Sequence, residues 1–187
     1  MISLVSGSNG LIGKAVTRHL WGAAQGYDLP QTTPPDVEYG AFIDCARYDD
    51  QRDQVLTWDL AIDHFKHTNG GRIILFSSIY GHKAPVFDIY PGTEIPTTPL
   101  KYAMEKAAVE QAARYLAEQL KPYGIQVNCI APGGVRNGQS AAFYYAYTES
   151  GAPMILTDNI MPVIDMLLHD DNAVNGQVIT VDGGWSL

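Results

Sequence analysis

Apolar positions along this chain fall into short uniform runs, separated by longer stretches in which they recur at helical spacing. Ile2-Ser-Leu-Val-Ser6 is a short β-compatible run that passes directly into Gly7-Ser-Asn-Gly10-Leu-Ile-Gly13, and Lys14-Ala-Val-Thr-Arg-His-Leu-Trp21 then continues with helical spacing. Ala41-Phe-Ile-Asp-Cys45 reads as a second strand. Residues 51–68 follow as a helix with Val55, Leu56, Ala61, Ile62 and Phe65 on its apolar side and Asn69-Gly-Gly71 as its stop. Arg72-Ile-Ile-Leu-Phe-Ser-Ser78 is apolar almost throughout, the pattern of a parallel strand covered on both faces. Pro99 precedes a long helix whose apolar face is built from Ala103, Ala107, Ala108, Val109, Ala112, Ala113, Leu116, Ala117 and Leu120. Pro122-Tyr-Gly124 ends it, and Ile125-Gln-Val-Asn-Cys-Ile130 is the next strand. Residues 157–169 read as a helix with an internal Pro162, and Gln177-Val-Ile-Thr-Val181 closes the sheet. Strands alternating with helices predict an α/β fold with a parallel sheet.

Three stretches interrupt this rhythm. Residues 22–40 are rich in Gly, Pro, Gln and Thr, with Leu29-Pro30 and Thr33-Pro-Pro35 breaking any regular element, so that at most one crossover fits. The loop at 79–99 holds four prolines, several aromatics and the acids Asp88 and Glu94; it is either a wall of a substrate pocket or an ordered surface loop. His82 and Lys83 within it could meet an anionic substrate or simply face solvent. Residues 137–150 carry Phe143, Tyr144, Tyr145 and Tyr147, which pack over a pocket, at an interface or into the core.

Length and charge narrow the classes. A chain of 187 residues suits one domain, here 1–187, and is too short for two of ordinary size. The net charge of -8 argues against general attraction to nucleic acid or to an anionic membrane surface. Cys45 and Cys129 each lie in or at the end of an apolar run, which suits small buried residues in a reducing cytoplasm better than a disulfide framework or a metal site. The opening residues lack a basic leader and read as a first strand, not a signal peptide, and no apolar segment reaches membrane-spanning length.

The chemistry gathers at strand ends. Tyr102 and Lys106 are four residues apart on a helix, so phenol and ammonium share one face about one turn apart. A positive charge beside a phenol favours phenolate, and a tyrosine tuned in this way exchanges a proton with a carbonyl or alcohol near neutral pH. Ser77 and Ser78 end the central apolar run, at the strand edge where open α/β sheets carry their ligands. The strand, glycine turn and helix at the start form a device for holding a pyrophosphate on backbone N–H groups, or else a tight turn with a glycine-packed helix. Ala131-Pro-Gly-Gly-Val135 turns sharply at the carboxyl end of another strand.

In this order the motifs resemble the short-chain dehydrogenase/reductase family, most closely from Phe76 to Trp185. The resemblance implies a Rossmann-like doubly wound parallel sheet and hydride transfer between NAD or NADP and the carbonyl or alcohol of a small-molecule substrate. It implies Tyr102 as general acid/base, Lys106 as the residue that lowers its pKa and binds the nicotinamide ribose, and Ser78 as the serine that holds the reacting oxygen. By the same resemblance Gly7, Asn9, Gly10, Leu11, Ile12 and Gly13 form the pyrophosphate turn. Cys45, Ala46, Pro132, Gly133 and Val135 join Tyr102 and Lys106 along the cofactor. Ser77-Ser-Ile-Tyr-Gly81 and Pro132-Gly-Gly-Val135 are similar to members associated with surface-sugar and nonulosonic-acid pathways.

The chain also departs from the family. Members carry two further strands with their helices where this chain has residues 22–40, so the sheet is expected to be reduced to about five strands, with the first strand near an edge that the linker or a partner must cover. That segment normally reads the adenosine ribose, and NAD and NADP are not distinguished without it. Asp44-Cys-Ala-Arg47 replaces the usual Asn-Asn-Ala-Gly, and the helix at 51–68 lacks the asparagine that many members use as a fourth catalytic residue. Two other readings stay open: proton transfer without nicotinamide, as in an isomerase or lyase, and a non-catalytic homologue. An exposed sheet edge and a small-residue helix face point to a homo-dimer or homo-tetramer.

Overall fold

The structure is a computed structural model that describes residues 2–27, 39–46, 54–68 and 70–187. Residues 28–38 of the linker, Arg47, the helix start expected at Gln51, and Asn69 lie outside the described residues. The order of elements is β1 (Ser3–Ser6), α1 (Leu11–His19), β2 (Ala24–Tyr27), β3 (Ala41–Asp44), α2 (Gln54–Thr68), β4 (Gly71–Phe76), α3 (Leu100–Leu120), β5 (Ile125–Pro132), α4 (Ala141–Glu149), α5 (Met161–Leu168) and β6 (Val178–Val181).

All six strands join one parallel sheet in the order β2-β1-β3-β4-β5-β6, a doubly wound arrangement that reverses direction between β1 and β3. Successive side chains of a strand point to opposite faces, and the core divides accordingly. Leu4, Phe42, Ile73 and Leu75 face α2 and α3, where they pack with Phe65, Val109, Ala113 and Leu120. Val5, Ile43, Ile74 and Phe76 face the other way, against Val16 of α1 and Met161, Ile164 and Leu167 of α5. A third cluster sits beyond the strand ends, built from Ile79, Ile89, Tyr90, Phe143, Tyr147, Met154 and Trp185.

Three expectations change. The sheet has six strands instead of about five, because residues 24–27 pair with β1 from Ser3↔Ala24 to Ser6↔Tyr27. Ala24-Gln-Gly-Tyr27 has no β-branched or alternating signature; its conformation comes from pairing, after a turn that Gly22 allows at φ 78°. The linker thus covers the edge of β1. Secondly, Pro162 does not interrupt a helix at 157–169: a 3₁₀ turn at Thr157–Asn159 precedes α5, which places Pro162 in the first turn of α5, where a missing N–H costs nothing. Finally, Ala107 and Ala108 are exposed on α3, and the inward line runs instead through Val109, Glu110, Ala113, Ala117 and Leu120. The two cysteines are free, Cys129 fully buried and Cys45 half-buried.

Candidate active site

The glycine turn is built by close backbone approaches. Gly7 takes φ 64°, a Cβ on it would fall 2.6 Å from Ala46 N, and the N–H of Gly10 returns to the Gly7 carbonyl at 2.9 Å. A Cβ on Gly13 would sit 2.1 Å from that same carbonyl. The turn is therefore stacked between the start of α1 and the segment Cys45–Ala46 at the end of β3. Gly10, the N-cap of α1, has no side chain to cap the helix, and no acid occupies the first turn. An uncapped helix start facing the carboxyl edge of the sheet suits an anionic pyrophosphate. Leu11 is exposed, and Ile12 packs against the core face shared with α5.

Asp44 holds the neighbouring segment. Although 2% exposed, its carboxylate accepts from Ser6 Oγ, from Trp58 Nε1 at 2.8 Å and from Ala46 N at 3.3 Å. Buried charge is tolerated when several donors replace water, so an aspartate here ties β1, β3 and α2 together. Burial pushes the Cys45 thiol well above its ordinary range, and the charge of Asp44 adds to this. Cys45 is consequently a neutral packing group.

Ser77 and Ser78 follow β4 and divide the work. Ser78 is half-buried and extended; its Oγ accepts from Tyr80 N at 3.2 Å and caps the 3₁₀ turn Ile79–Gly81. Accepting that bond uses a lone pair, so the hydroxyl proton remains available to an oxygen ligand. Ser77 is buried, with Oγ 2.9 Å from the Lys106 carbonyl and 3.1 Å from Glu110 Oε1. Tyr102 lies in the first turn of α3 and Lys106 one turn on, both half-buried. Lys106 Nζ donates to the Phe76 carbonyl at 3.0 Å and lies 5.7 Å from the centre of the Tyr102 ring. The ammonium is thus held between the end of β4 and the phenol.

The wall opposite comes from the end of β5. Gly133 N donates to Val181 O at 2.9 Å, and Val135 bridges Ile155. Gly134 N donates to the Tyr147 hydroxyl at 2.7 Å, and a Cβ on Gly134 would lie 2.7 Å from that ring. Tyr147 stacks on Trp185 at 4.9 Å, and the Trp185 indole donates to Tyr147 O at 3.0 Å. Burial pushes the Tyr147 phenol up to about 12, so it stays a neutral partner. Asp182 closes the assembly by accepting from Gly184 N at 2.8 Å and Ser186 N at 2.7 Å. Burial opposes its charge, but the donors of Ser186 and Gly184 outweigh burial and hold the carboxyl below its ordinary range.

The loop at 79–99 is ordered on both flanks. Tyr90 donates to or accepts from Thr98 Oγ1 at 2.7 Å, and Glu94 Oε1 accepts from Ser140 N, the N-cap of α4, at 2.9 Å. Bonds from Ser140 hold the exposed Glu94 carboxyl below its ordinary range. The insert therefore joins the start of α4, and of its aromatics Phe143 and Tyr147 are core residues while Tyr145 is exposed. Lys83 is engaged with Ser186 O at 2.7 Å, and His82 with Glu110 at 2.7 Å.

Comparison with known proteins identifies the family and the fold. A family model described as Enoyl-(Acyl carrier protein) reductase matches residues 55–186. The chain belongs to the short-chain dehydrogenase/reductase family. Among its relatives, the Post-translational flagellin modification protein A of Campylobacter coli is 34% identical over 129 residues, covering 67% of this chain and 50% of that protein. The NADPH-dependent aldehyde reductase-like protein of Arabidopsis thaliana is 32% identical over 136 residues, covering 67% and 45%. The chain thus spans about half the length of these curated relatives. A short chain dehydrogenase from Leptospira borgpetersenii with bound NAD+ superposes with TM-score 0.82 at 24% identity, over all of this chain and 92% of that one. A gluconate 5-dehydrogenase from Burkholderia cenocepacia in complex with NADP and tartrate gives TM-score 0.78 at 19% identity, over 98% and 94%.

Within this short-chain dehydrogenase/reductase fold, every residue singled out from sequence for the site lies at the carboxyl edge of the sheet or on the first two turns of α1 and α3. Glu110 was not singled out, nor were Asp182 and Trp185 as supports. Glu110 carries one usable signal, since 106, 110, 113, 117 and 120 share a helix face. Among the described residues no group of three or more His, Cys, Asp or Glu could hold a metal, and no helix is long and apolar enough to cross a membrane.

Proposed function

We propose that this chain is an NAD(P)-dependent oxidoreductase acting as a single domain on the carbonyl or alcohol of a small polar, sugar-derived substrate. The observation that carries the reading is Lys106 Nζ fixed to Phe76, the last residue of β4, two positions before Ser78, and set over the Tyr102 ring. Residues 7–13 would hold the pyrophosphate, Lys106 the nicotinamide ribose, and Pro132, Gly133 and Val135 the flank of the ring. Bound there, a nicotinamide supplies or accepts hydride. Ser78 donates its proton as a hydrogen bond to the substrate oxygen. Tyr102 passes a proton to or from that oxygen, and the Lys106 ammonium stabilises the phenolate left behind.

The sugar-derived class rests on the likeness of Ser77-Ser-Ile-Tyr-Gly81 and Pro132-Gly-Gly-Val135 to members of surface-sugar pathways. The solved structures of the same fold hold NAD+ in one case and NADP in another, so either nucleotide fits the reading. The stripe of Leu100, Met104, Ala107, Ala108 and Tyr115 exposed on α3 supports a homo-dimer or homo-tetramer packed through this helix. The cytoplasm supplies both nicotinamide and a reducing setting for two free thiols.

Steady-state turnover of sugar-derived carbonyls with NADH and NADPH tests the proposal, with Tyr102→Phe as the comparison. Loss of at least about a hundredfold in kcat in the variant is expected. Equal turnover with no nicotinamide present would select proton transfer alone.

A further inference from the structure

Glu110 is a buried carboxylate that the proposed chemistry does not use. It is 3% exposed, on the inward face of α3 one turn beyond Lys106. Its Oε1 accepts from His82 Nδ1 at 2.7 Å and faces Ser77 Oγ at 3.1 Å, while Oε2 lies 3.8 Å from Arg114. A carboxylate is costly to bury, and these neighbours come from separate elements. Ser77 extends from β4, His82 follows the 3₁₀ turn that begins after Ser78, and its other ring nitrogen is 3.5 Å from Thr180 Oγ1 on β6. Gly81 shows how tight the contact is. A Cβ there would fall 2.6 Å from Glu110 Oε1, 2.7 Å from Ser77 Oγ and 2.9 Å from the carbonyl carbon of Lys106.

The geometry points to Glu110, paired with His82, as a positioning residue that locks the Ser78 turn onto the helix carrying Tyr102 and Lys106. Ser78 is one residue from Ser77 and four from His82, so both ends of its short segment are pinned to one carboxylate. The single Ser77 hydroxyl proton is shared between Glu110 Oε1 and the carbonyl of Lys106, at 2.9 Å, and either acceptor ties the turn to α3. In this arrangement the distance between the serine hydroxyl and the phenol is fixed before any substrate arrives. Displacement of reacting groups by about 1 Å costs about a hundredfold in rate, so a clamp of this kind acts on turnover more than on binding. This inference rests on the oxidoreductase reading for its consequence in catalysis, but its structural half stands by itself.

Two measurements on the full chain test it: kcat and KM with NAD(P)H, and backbone hydrogen exchange over residues 77–83. The variants are Glu110→Ala, His82→Ala and His82→Asn, the last placing an amide N–H where the imidazole Nδ1 stood. His82 is partly exposed, so its variants keep the test alive if Glu110→Ala does not fold. Expected are faster exchange over 77–83 and at least about a tenfold fall in kcat for the alanine variants, with cofactor KM within about twofold and His82→Asn close to wild type. Unchanged exchange in His82→Ala, or no recovery in His82→Asn, overturns the clamp. If the wild-type chain turns over no carbonyl with either nucleotide, the oxidoreductase reading fails by itself, and the exchange rates still decide whether Glu110 holds the Ser78 turn.

Discussion

Lys106 Nζ donates to the carbonyl of Phe76 at 3.0 Å, which anchors the second turn of α3 to the last residue of β4. One side chain therefore sets both the place of the charge beside Tyr102 and the seat of the helix on the sheet. Lys106→Ala removes both, and kcat is expected to fall by at least about a hundredfold in steady-state assays. Lys106→Arg should not restore it, because a planar guanidinium cannot place one compact charge at the same point.

Gly13→Ala tests the turn. The added carbon would lie 2.1 Å from the Gly7 carbonyl, with Gly7 itself pressed against Ala46, so neither backbone can yield freely. Denaturant unfolding should show a loss of about 1–3 kcal/mol. Nucleotide binding should fall more than stability does, since the same shift moves the first N–H groups of α1.

Acid sensitivity should appear at the C-terminal turn. The donors of Ser186 and Gly184 overcome burial and hold Asp182 below its ordinary range, so its contribution to stability is complete above the unfolded carboxyl value of about 3.9 and is lost as pH falls through the lower folded value. Tryptophan fluorescence should be flat from neutral pH down to about 4 and change below it, because Trp185 rests on this turn. In Asp182→Asn that acid transition should be absent.

Much of this molecule is legible in its sequence where one physical signal dominates. The strand at Gly71–Phe76 shows in the apolar run Ile73–Phe76, and Tyr102 with Lys106 stands out from an ordinary helix surface only together with Ser78, the glycine turn and the Pro-Gly-Gly segment in order. β2 is not legible, since Ala24-Gln-Gly-Tyr27 becomes a strand only by lying along β1. Ala107 and Ala108 mislead for a related reason: alanine is at home on either side of a helix, and the inward side is fixed by what packs there. Glu110 is hidden because a carboxylate on a helix reads as solvated until Ser77 and His82, from 33 and 28 residues away, supply its hydrogen bonds. The aromatic stretch at 137–150 divides between core and surface only once Trp185 and Gly134 settle around Tyr147.

Residues 7–13, with one strand beyond β1, are expected to hold a nicotinamide nucleotide beside Tyr102 and Lys106. Fluorescence titration of the purified chain with NADH and NADPH measures this directly. Saturable binding of NADH or NADPH is the expected result, and absence of binding for both at millimolar cofactor would contradict it.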